Sequence, residues 1–186
     1  MHKSIATREW VFQDWAANAG RPDIRLFLAW FRIAQWAYIH WGTLGRLVYT
    51  PYTAISVTFL SIELPVSCSV GPGLCIYHKS GITIHKECTI GRDCQLRQGV
   101  TLGVKQNRNR DIIGFPTVGD DVDLGGYCAV IGDIYIGDHS RIGAHTVVTK
   151  SVPDWAIVVG NPGRVIRIDA PEPSSEGSPP EAPNDL

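Results

Sequence analysis

The histidines are the side chains of this chain best suited to chemistry near neutral pH. His78 stands in the segment IYHKSG, and an imidazole there could remove the proton of an alcohol, which ionises too weakly by itself. The ordinary alternative for a lone histidine in a turn is a solvated side chain, and the residues alone leave both roles open. His139 and His145, six residues apart, would stack on adjacent turns of a six-residue repeat. They would form a zinc site only with a third ligand such as His85 or His78, and we expect no metal.

The five cysteines indicate structural roles. No two of them form a CxxC pair, the pattern typical of zinc ribbons and thioredoxin-like redox sites. Free cysteines behave in protein interiors as small hydrophobic side chains. Four of the five also fall at one phase of the repeat described next, so we expect them to be buried and unpaired.

A six-residue repeat extends from about Leu64 to Val148. An aliphatic residue, often followed by glycine, recurs with one two-residue slip and one longer interruption at Leu64, Val70, Ile76, Ile82, Ile84, Ile90, Leu96, Leu102, Val118, Leu124, Val130, Ile136, Ile142 and Val148. A period of six fits neither a helix nor simple strand alternation. It is typical of a hexapeptide β-helix, in which each short strand forms one wall of a prism. The predicted fold class is an all-β-dominated chain, a parallel β-helix with a short N-terminal α-helical segment.

A second position of the repeat is restricted to small side chains. Four residues after most of the aliphatic positions stand Cys68, Ser80, Cys88, Cys94, Val100, Val122, Cys128, Ser140 and Thr146. A thin, close-packed prism can hold one large and one small side chain per wall. We therefore expect these side chains to point inward.

Composition narrows the function classes. Lys and Arg total 17 against 18 Asp and Glu, so charge predicts no nucleic-acid partner. The first residues, MHKSIATREW, lack the apolar core of a secretory signal. Unpaired cysteines agree with a reducing compartment, and we expect a cytoplasmic protein.

Residues 1–61 form a predicted helical segment. Residues 24–41 read IRLFLAWFRIAQWAYIHW, a helix with one narrow polar stripe whose remaining surface needs a cover. Two covers remain open. One is protein: the prism end, a neighbouring subunit or the following helix. The other is the inner face of a membrane, where Trp and Tyr are favoured. Residues 47–62 are also apolar, but they are short for a membrane span and contain Pro51.

The remaining chain divides into the prism, a loop and a tail. Residues 62–168 form the predicted β-helix domain, which the polar segment 104–117 interrupts as a loop. Long loops on rigid scaffolds commonly carry function. Residues 169–186 are rich in Pro, Ser and Glu, and we expect this tail to be disordered.

Three segments carry a family resemblance. IELPVSCSVGPGLCIYHKSG (62–81), LRQGVTLG (96–103) and IGAHTVVTKSVPDWAIVVGNPGRVI (142–166) resemble the serine acetyltransferase group of hexapeptide acyltransferases. They are most similar to its short members associated with exopolysaccharides, of the colanic-acid type. The resemblance implies a left-handed winding of the β-helix, a homotrimer, acetyl-CoA as the acetyl donor and a hydroxyl acceptor.

The resemblance also implies catalytic residues. His78 matches the histidine that acts as general base on the acceptor hydroxyl, and backbone N–H groups would stabilise the oxyanion. Glu63 matches a carboxylate that orients the imidazole, with one methylene more than the usual aspartate. For Glu63 the alternative is an ordinary surface glutamate.

Two departures from the family pattern concern the acceptor. Phe115 stands where serine acetyltransferases have a second histidine, and Tyr77 stands where they have an aspartate. A site that loses its hydrogen-bonding groups usually loses its substrate, whereas aromatic faces suit sugar rings. We therefore expect Tyr77 and Phe115 to contact a saccharide, either a small molecule or a lipid-linked one.

For the donor, the resemblance places acetyl-CoA along a groove between two subunits. The matching positions are Gly103, Gly126, Arg141 and Arg164. Arginine suits phosphate oxygens through its planar fork, although both arginines could also be solvated surface residues.

The resulting prediction is an acetyl-CoA-dependent O-acetyltransferase that acts on a sugar hydroxyl in exopolysaccharide synthesis. The alternatives are a serine O-acetyltransferase of cysteine biosynthesis and a non-catalytic trimeric scaffold organised by the tryptophan-rich helix.

Overall fold

The computed structural model describes residues 7–171, in which three helices precede seventeen short strands. The helices are α1 Thr7–Phe12, α2 Pro22–Trp41 and α3 Arg46–Leu60. The strands are β1 Ile62–Glu63, β2 Ser69–Val70, β3 Cys75–Ile76, β4 Ile82–Ile84, β5 Thr89–Ile90, β6 Gln95–Leu96, β7 Thr101–Gly103, β8 Lys105–Gln106, β9 Ile112–Gly114, β10 Thr117–Val118, β11 Asp123–Leu124, β12 Ala129–Ile131, β13 Tyr135–Ile136, β14 Arg141–Ile142, β15 Val147–Val148, β16 Ala156–Val159 and β17 Arg164–Ile168.

Most of the strands form three sheets that enclose a prism. Sheet A contains β1, β4, β7, β12 and β15, sheet B contains β2, β5, β10 and β13, and sheet C contains β3, β6, β11, β14, β16 and β17. All pairings in these sheets are parallel except that of β16 with β17. Thr83 pairs with Thr101, and Ala129 with Val147, so one regular coil takes three six-residue steps. The chain is therefore a parallel β-helix.

The interior of the prism follows the repeat of the sequence. All fourteen aliphatic positions of the ladder are buried, and so are eight of the nine small positions that follow them. The exception is Ser80, which is exposed. Ile62 pairs with Ile82, two residues further along the chain than a regular coil would reach. The turn between β3 and β4 absorbs these two residues and carries Ser80 outward.

Burial changes the acidity of four thiols. All five cysteines are free and buried. Desolvation raises the pKa of Cys88 to about 11 and the pKa values of Cys68, Cys94 and Cys128 to about 12. These thiols are neutral at physiological pH, and they fill volume as the repeat predicts.

We expect these four thiols to resist Ellman's reagent in the native protein and to react fully after unfolding in guanidinium chloride. Their native pKa values lie above the ordinary value of 9.0, so the unfolded chain loses these protons first. Stability should therefore be fully present below about pH 9 and fall as the pH rises towards 11 and 12. Rapid modification of Cys94 in the folded protein would contradict this expectation.

The helices form a larger part of the chain than an all-β-dominated fold implies. They span almost as many residues as the strands do within 7–171. The expected short helical segment is thus a substantial unit.

Arg32 of α2 caps the open end of the β-helix. The first coil has no preceding coil, so its outer edge leaves backbone groups without a strand partner. Arg32 is fully buried and donates to the carbonyl oxygens of Val70 at 2.8 Å and Gly71 at 2.7 Å. Its charge is balanced by Asp14, 2.8 Å away and also buried, and it donates to Gln35 Oε1 at 3.0 Å. A side chain thus replaces the missing strand.

Two amides extend this cap. Asn18 donates from Nδ2 to the carbonyl oxygen of Leu74 at 2.8 Å, and its Oδ1 accepts from the N–H of Ile76 at 3.1 Å. Gln35 donates to the carbonyl oxygen of Cys68 at 2.9 Å. The two amides and Arg32 satisfy the edge of β2 and β3, because buried backbone groups need a partner.

Protein packing covers only one face of the helical segment. α2 buries Ile24, Phe27, Leu28 and Phe31, and the rings of Phe27 and Phe31 pack on Tyr52 of α3. α3 buries only Tyr52 and Ser56. Much of the apolar surface of both helices is exposed, with Leu47 at 79% and Phe59 at 77%. Within residues 7–171 no helix is both long and apolar enough to cross a membrane.

The segment 104–117 contains a small hairpin outside the three sheets, and its last residue, Thr117, already lies in sheet B. β8 and β9 pair antiparallel within it, and the chain then returns to sheet B at β10. At the other end, β17 follows β16 along the edge of sheet C, and the N–H of Asp169 bonds to the carbonyl oxygen of Trp155 at 2.9 Å. The predicted disordered tail otherwise lies outside the described residues.

Candidate functional site

His78 lies at the corner of the prism between sheet C and sheet A, in the turn that joins β3 to β4. Every coil turns at this corner, and backbone hydrogen bonds stack the turns. Gly99 N–H bonds to the carbonyl oxygen of Ser80 at 2.8 Å, Tyr127 N–H to Gln98 at 2.8 Å, and His145 N–H to Gly126 at 2.9 Å. We call this column of turns the C–A corner. The His78 side chain is exposed, so its imidazole is accessible.

Tyr77 is engaged by two arginines rather than presenting free ring faces. The guanidinium carbons of Arg21 and Arg97 lie 4.5 and 4.9 Å from the centre of its ring, at cation–π distance. The Tyr77 hydroxyl donates to Gln95 Oε1 at 3.0 Å. A sugar ring would have to share this tyrosine with the arginines, of which Arg97 also pairs with Asp123.

The residue after His78 ties the turn to the helical segment. Lys79 Nζ bonds to Asp23 Oδ2 of α2 at 2.7 Å. This hydrogen bond holds the pKa of the Asp23 carboxyl below its usual value. The contact links the turn of His78 to the start of α2.

Glu63 lies on β1, close to the C–A corner. The N–H of Gly81, in the His78 turn, bonds to the carbonyl oxygen of Ser61 at 2.9 Å, two residues before Glu63. The Glu63 carboxylate is exposed and makes no hydrogen bond to another described residue, His78 included. Its predicted pairing with His78 therefore remains a proposal.

Phe115 lies at a different corner from His78 within one chain. Its ring stacks on His85, with ring centres 6.3 Å apart and planes 17° from parallel. His85 follows β4, whereas His78 precedes it, so a sheet A strand separates the two histidines. A single chain does not bring Phe115 and Tyr77 into one acceptor site.

His139 and His145 do not stack on one another. His139 stacks on Trp155, with ring centres 4.0 Å apart, and His145 stacks on Tyr127 at 5.2 Å. Six residues are one third of a coil, so residues six apart lie on neighbouring corners rather than on neighbouring coils. Between residues 7 and 171 no cluster of three potential metal ligands occurs.

Known proteins with similar sequences are acetyltransferases. A family pattern described as "Bacterial transferase hexapeptide (six repeats)" matches residues 115–150. The serine acetyltransferase of Mycobacterium tuberculosis is 35% identical over 145 residues, which cover 76% of this chain and 60% of that protein. The putative colanic acid biosynthesis acetyltransferase WcaB of Escherichia coli is 37% identical over 114 residues, covering 61% of this chain and 68% of that protein.

The chain belongs to the hexapeptide acyltransferase family. It spans about 60% of the length of the mycobacterial relative. Two solved structures have the same fold at 24% identity. The serine acetyltransferase of Neisseria gonorrhoeae has a TM-score of 0.73, covering 90% of this chain and 68% of that one. A serine acetyltransferase in complex with CoA has a TM-score of 0.70, covering 86% and 69%.

Two of the four residues that the family resemblance assigns to acetyl-CoA lie at the C–A corner. Gly126 is part of the corner itself. Arg164 begins β17, and the N–H of its neighbour Gly163 bonds to the carbonyl oxygen of Val147 at 2.7 Å, just after the turn that carries His145. Gly103 pairs with Ile131 at the far end of the sheet A strands. The corner thus aligns His78, Gly126 and Arg164 along one edge of this acyltransferase-family prism.

Arg141 lies in an acidic cleft on sheet C. The cleft measures about 320 Å³ and is lined partly by Asp121, Asp123, Asp169 and His139. Each of these carboxylates has a basic neighbour: Asp123 pairs with Arg97, Asp121 with His139 and Asp169 with Arg167. Arg141 and Arg164 are both exposed, and phosphate binding by either arginine remains a prediction.

Sequence reasoning assigned no role to Arg21 and Arg97, and it considered His85 only as a metal ligand. Arg97 stands in the LRQGVTLG segment that carries the family resemblance, which was a usable signal. Arg21 and His85 carry no such signal, because their importance arises from contacts with residues 30 to 56 positions away.

Proposed function

We propose that this protein is an acetyl-CoA-dependent O-acetyltransferase that acts on a sugar hydroxyl, in the synthesis of a cell-surface polysaccharide. The observation that carries the proposal is the C–A corner, where an accessible His78 shares one edge with Gly126 and Arg164. The acetyltransferase names of the relatives support the reaction class.

His78 would act as the general base. Its imidazole accepts the proton of the acceptor hydroxyl as that oxygen attacks the thioester carbonyl, and the imidazolium returns the proton to the departing thiolate. The activated acetyl group is what acetyl-CoA supplies. Glu63 would orient the ring and stabilise its charged form, and backbone N–H groups of the corner would stabilise the oxyanion. Arg164 would hold phosphate oxygens of the donor.

The acceptor assignment depends on the side chains near the site. Phe115 and Tyr77 replace polar groups that serine acetyltransferases use, and aromatic surfaces suit sugar rings better than a charged amino acid. Tyr77 would present its ring edge and hydroxyl, because arginines lie against the ring. The name of the colanic acid relative agrees with a saccharide acceptor.

A serine O-acetyltransferase is the second candidate, because the mycobacterial relative carries that name. An acceptor screen separates the two: purified protein is incubated with labelled acetyl-CoA and with free serine, nucleotide sugars or glycosides side by side. We expect label on saccharides and at most trace label on serine. Rapid acetylation of serine alone would sink the saccharide assignment. Absence of acetyl-CoA binding in calorimetry would favour a non-catalytic trimeric scaffold.

The family resemblance also suggests an assembly and a location. We propose a homotrimer in which the donor lies along a groove between two copies, so that Phe115 of a neighbouring copy could complete a site that one chain leaves open. A cytoplasmic location and peripheral contact of the exposed face of α2 and α3 with a membrane fit the apolar side chains there. Sedimentation of the full chain would measure the oligomeric state, and vesicle flotation would measure the membrane contact.

A further inference from the structure

A groove lies between helix α3 and the first two coils of the prism, and the mechanism above uses only one of its residues. Its volume is about 440 Å³. The helices contribute Tyr38, Tyr49 and Val57, and the coils contribute Glu63, His85 and Lys86. We call it the α3 groove.

The coil side of the α3 groove offers polar groups to a ligand. Glu63 is exposed and has no hydrogen-bond partner in the described chain. His85 Nδ1 accepts from the N–H of Glu87 at 3.3 Å, which places the proton of the neutral ring on Nε2. The Phe115 ring stacked on His85 limits the rotation of that imidazole. A carboxylate, an imidazole N–H and the Lys86 ammonium are groups that bind sugar hydroxyls.

The helix side of the same groove is apolar. The rings of Tyr38 and Tyr49 meet edge to face, with centres 5.5 Å apart. Val57 is 47% exposed, and Phe59 further along α3 is more exposed still. No charged residue occurs from Leu47 to Ser61. The helix side of the groove is therefore uncharged, and hydrocarbon lying against Tyr38, Tyr49 and Val57 would stabilise it.

We propose that the α3 groove binds an acceptor that has a sugar head and a hydrocarbon chain. The head contacts Glu63 and His85, and the chain lies along Tyr38, Tyr49 and Val57. This inference rests on the proposed function, because the Glu63 end of the groove adjoins the turn of His78 through the Gly81–Ser61 hydrogen bond. The polar coil side of the groove favours this occupant over a second copy of the chain. The apolar face of a second copy would leave the Glu63 carboxylate desolvated and unpaired.

Equilibrium binding of alkyl glycosides to the full chain tests the proposal without acetyl-CoA. Octyl and methyl β-glucoside and β-galactoside are compared below their critical micelle concentrations. We expect each octyl glycoside to bind at least about tenfold more tightly than its methyl counterpart, the effect of burying about two methylene groups. Val57→Asp should abolish this preference. Leu26→Asp, at a still more exposed apolar position of α2 outside the groove, should retain it.

Three results would overturn the proposal: equal binding of octyl and methyl glycosides, no binding of either, or an octyl preference that Val57→Asp keeps or that Leu26→Asp also removes. The last would indicate adsorption to any apolar surface. The result of this binding experiment does not depend on the result of the acceptor screen, so the two proposals can fail separately. A protein that acetylates methyl and octyl glycosides alike keeps its proposed function and loses the hydrocarbon subsite.

Discussion

Replacing Arg32 with methionine is expected to lower the free energy of unfolding by about 3–5 kcal/mol, the usual cost of removing one partner from a buried ion pair. The substitution leaves Asp14 buried and charged, and it frees the carbonyl oxygens of Val70 and Gly71. Since a whole domain is stable by only about 5–15 kcal/mol, the first coil should lose its protection early. Urea unfolding followed by circular dichroism and amide exchange of β2 and β3 would measure both effects.

Two variants make this prediction specific. Lys79→Met removes an exposed ion pair with Asp23, and it should cost no more than about 1 kcal/mol. The double variant Asp14→Asn/Arg32→Met removes the uncompensated charge and keeps an acceptor for the N–H of Leu74, so it should be more stable than Arg32→Met alone. If Arg32→Met proved as mild as Lys79→Met, the capping role of this cluster would be wrong.

Replacing His78 with alanine should reduce acetyl transfer to the preferred acceptor by about 10²–10⁴-fold in kcat, the typical contribution of a general base. The side chain is exposed and no hydrogen bond to another described residue depends on it, so the fold should be unaffected. Acetyl-CoA affinity should also be nearly unchanged, because the imidazole is assigned to the acceptor rather than to the donor. Steady-state kinetics and calorimetry on the same preparation separate the two effects.

The matched control is His40→Ala, which removes an exposed histidine near the end of α2 that bonds to the carbonyl oxygen of Trp36 and stacks on the Trp36 ring. This variant should keep full activity. Full transfer by the His78→Ala protein with the right acceptor would disprove the general-base assignment. The hexapeptide prism would remain, but another group would have to accept the proton.

Much of the fold and part of the site follow from local pattern. Each wall of the prism encloses the same limited interior volume. One inward position of the repeat is therefore a large aliphatic residue, and the other is a small residue such as Cys94, Val122 or Cys128. The turn of His78 could be predicted because it carries a two-residue slip and a family motif. Its placement on one edge with Gly126 follows once three six-residue steps are known to make one coil, whereas Arg164 lies on the antiparallel β17, outside the repeat.

The remainder depended on contacts that no local pattern encodes. Ser80 faces outward because the turn between β3 and β4 accommodates two extra residues. The repeat alone does not specify whether such residues point into the prism or out of it. His139 and His145 separate because stacking requires a full coil rather than one step. Tyr77 and Phe115 lie on different parts of the chain surface. Two arginines pack on the Tyr77 ring, and His85 stacks on the Phe115 ring.

The sequence by itself determined the hexapeptide prism, its buried cysteines and the candidacy of His78. The tertiary structure decided how the prism ends and what surrounds the site. Arg32, Asn18 and Gln35 complete an open strand edge from more than 30 residues away, and α3 forms one side of a groove beside Glu63. Within the repeat, each residue packs against residues at the equivalent position of the adjacent coils. The cap and the groove arise where the repeat meets a helix, and there only the packed chain specifies the partners.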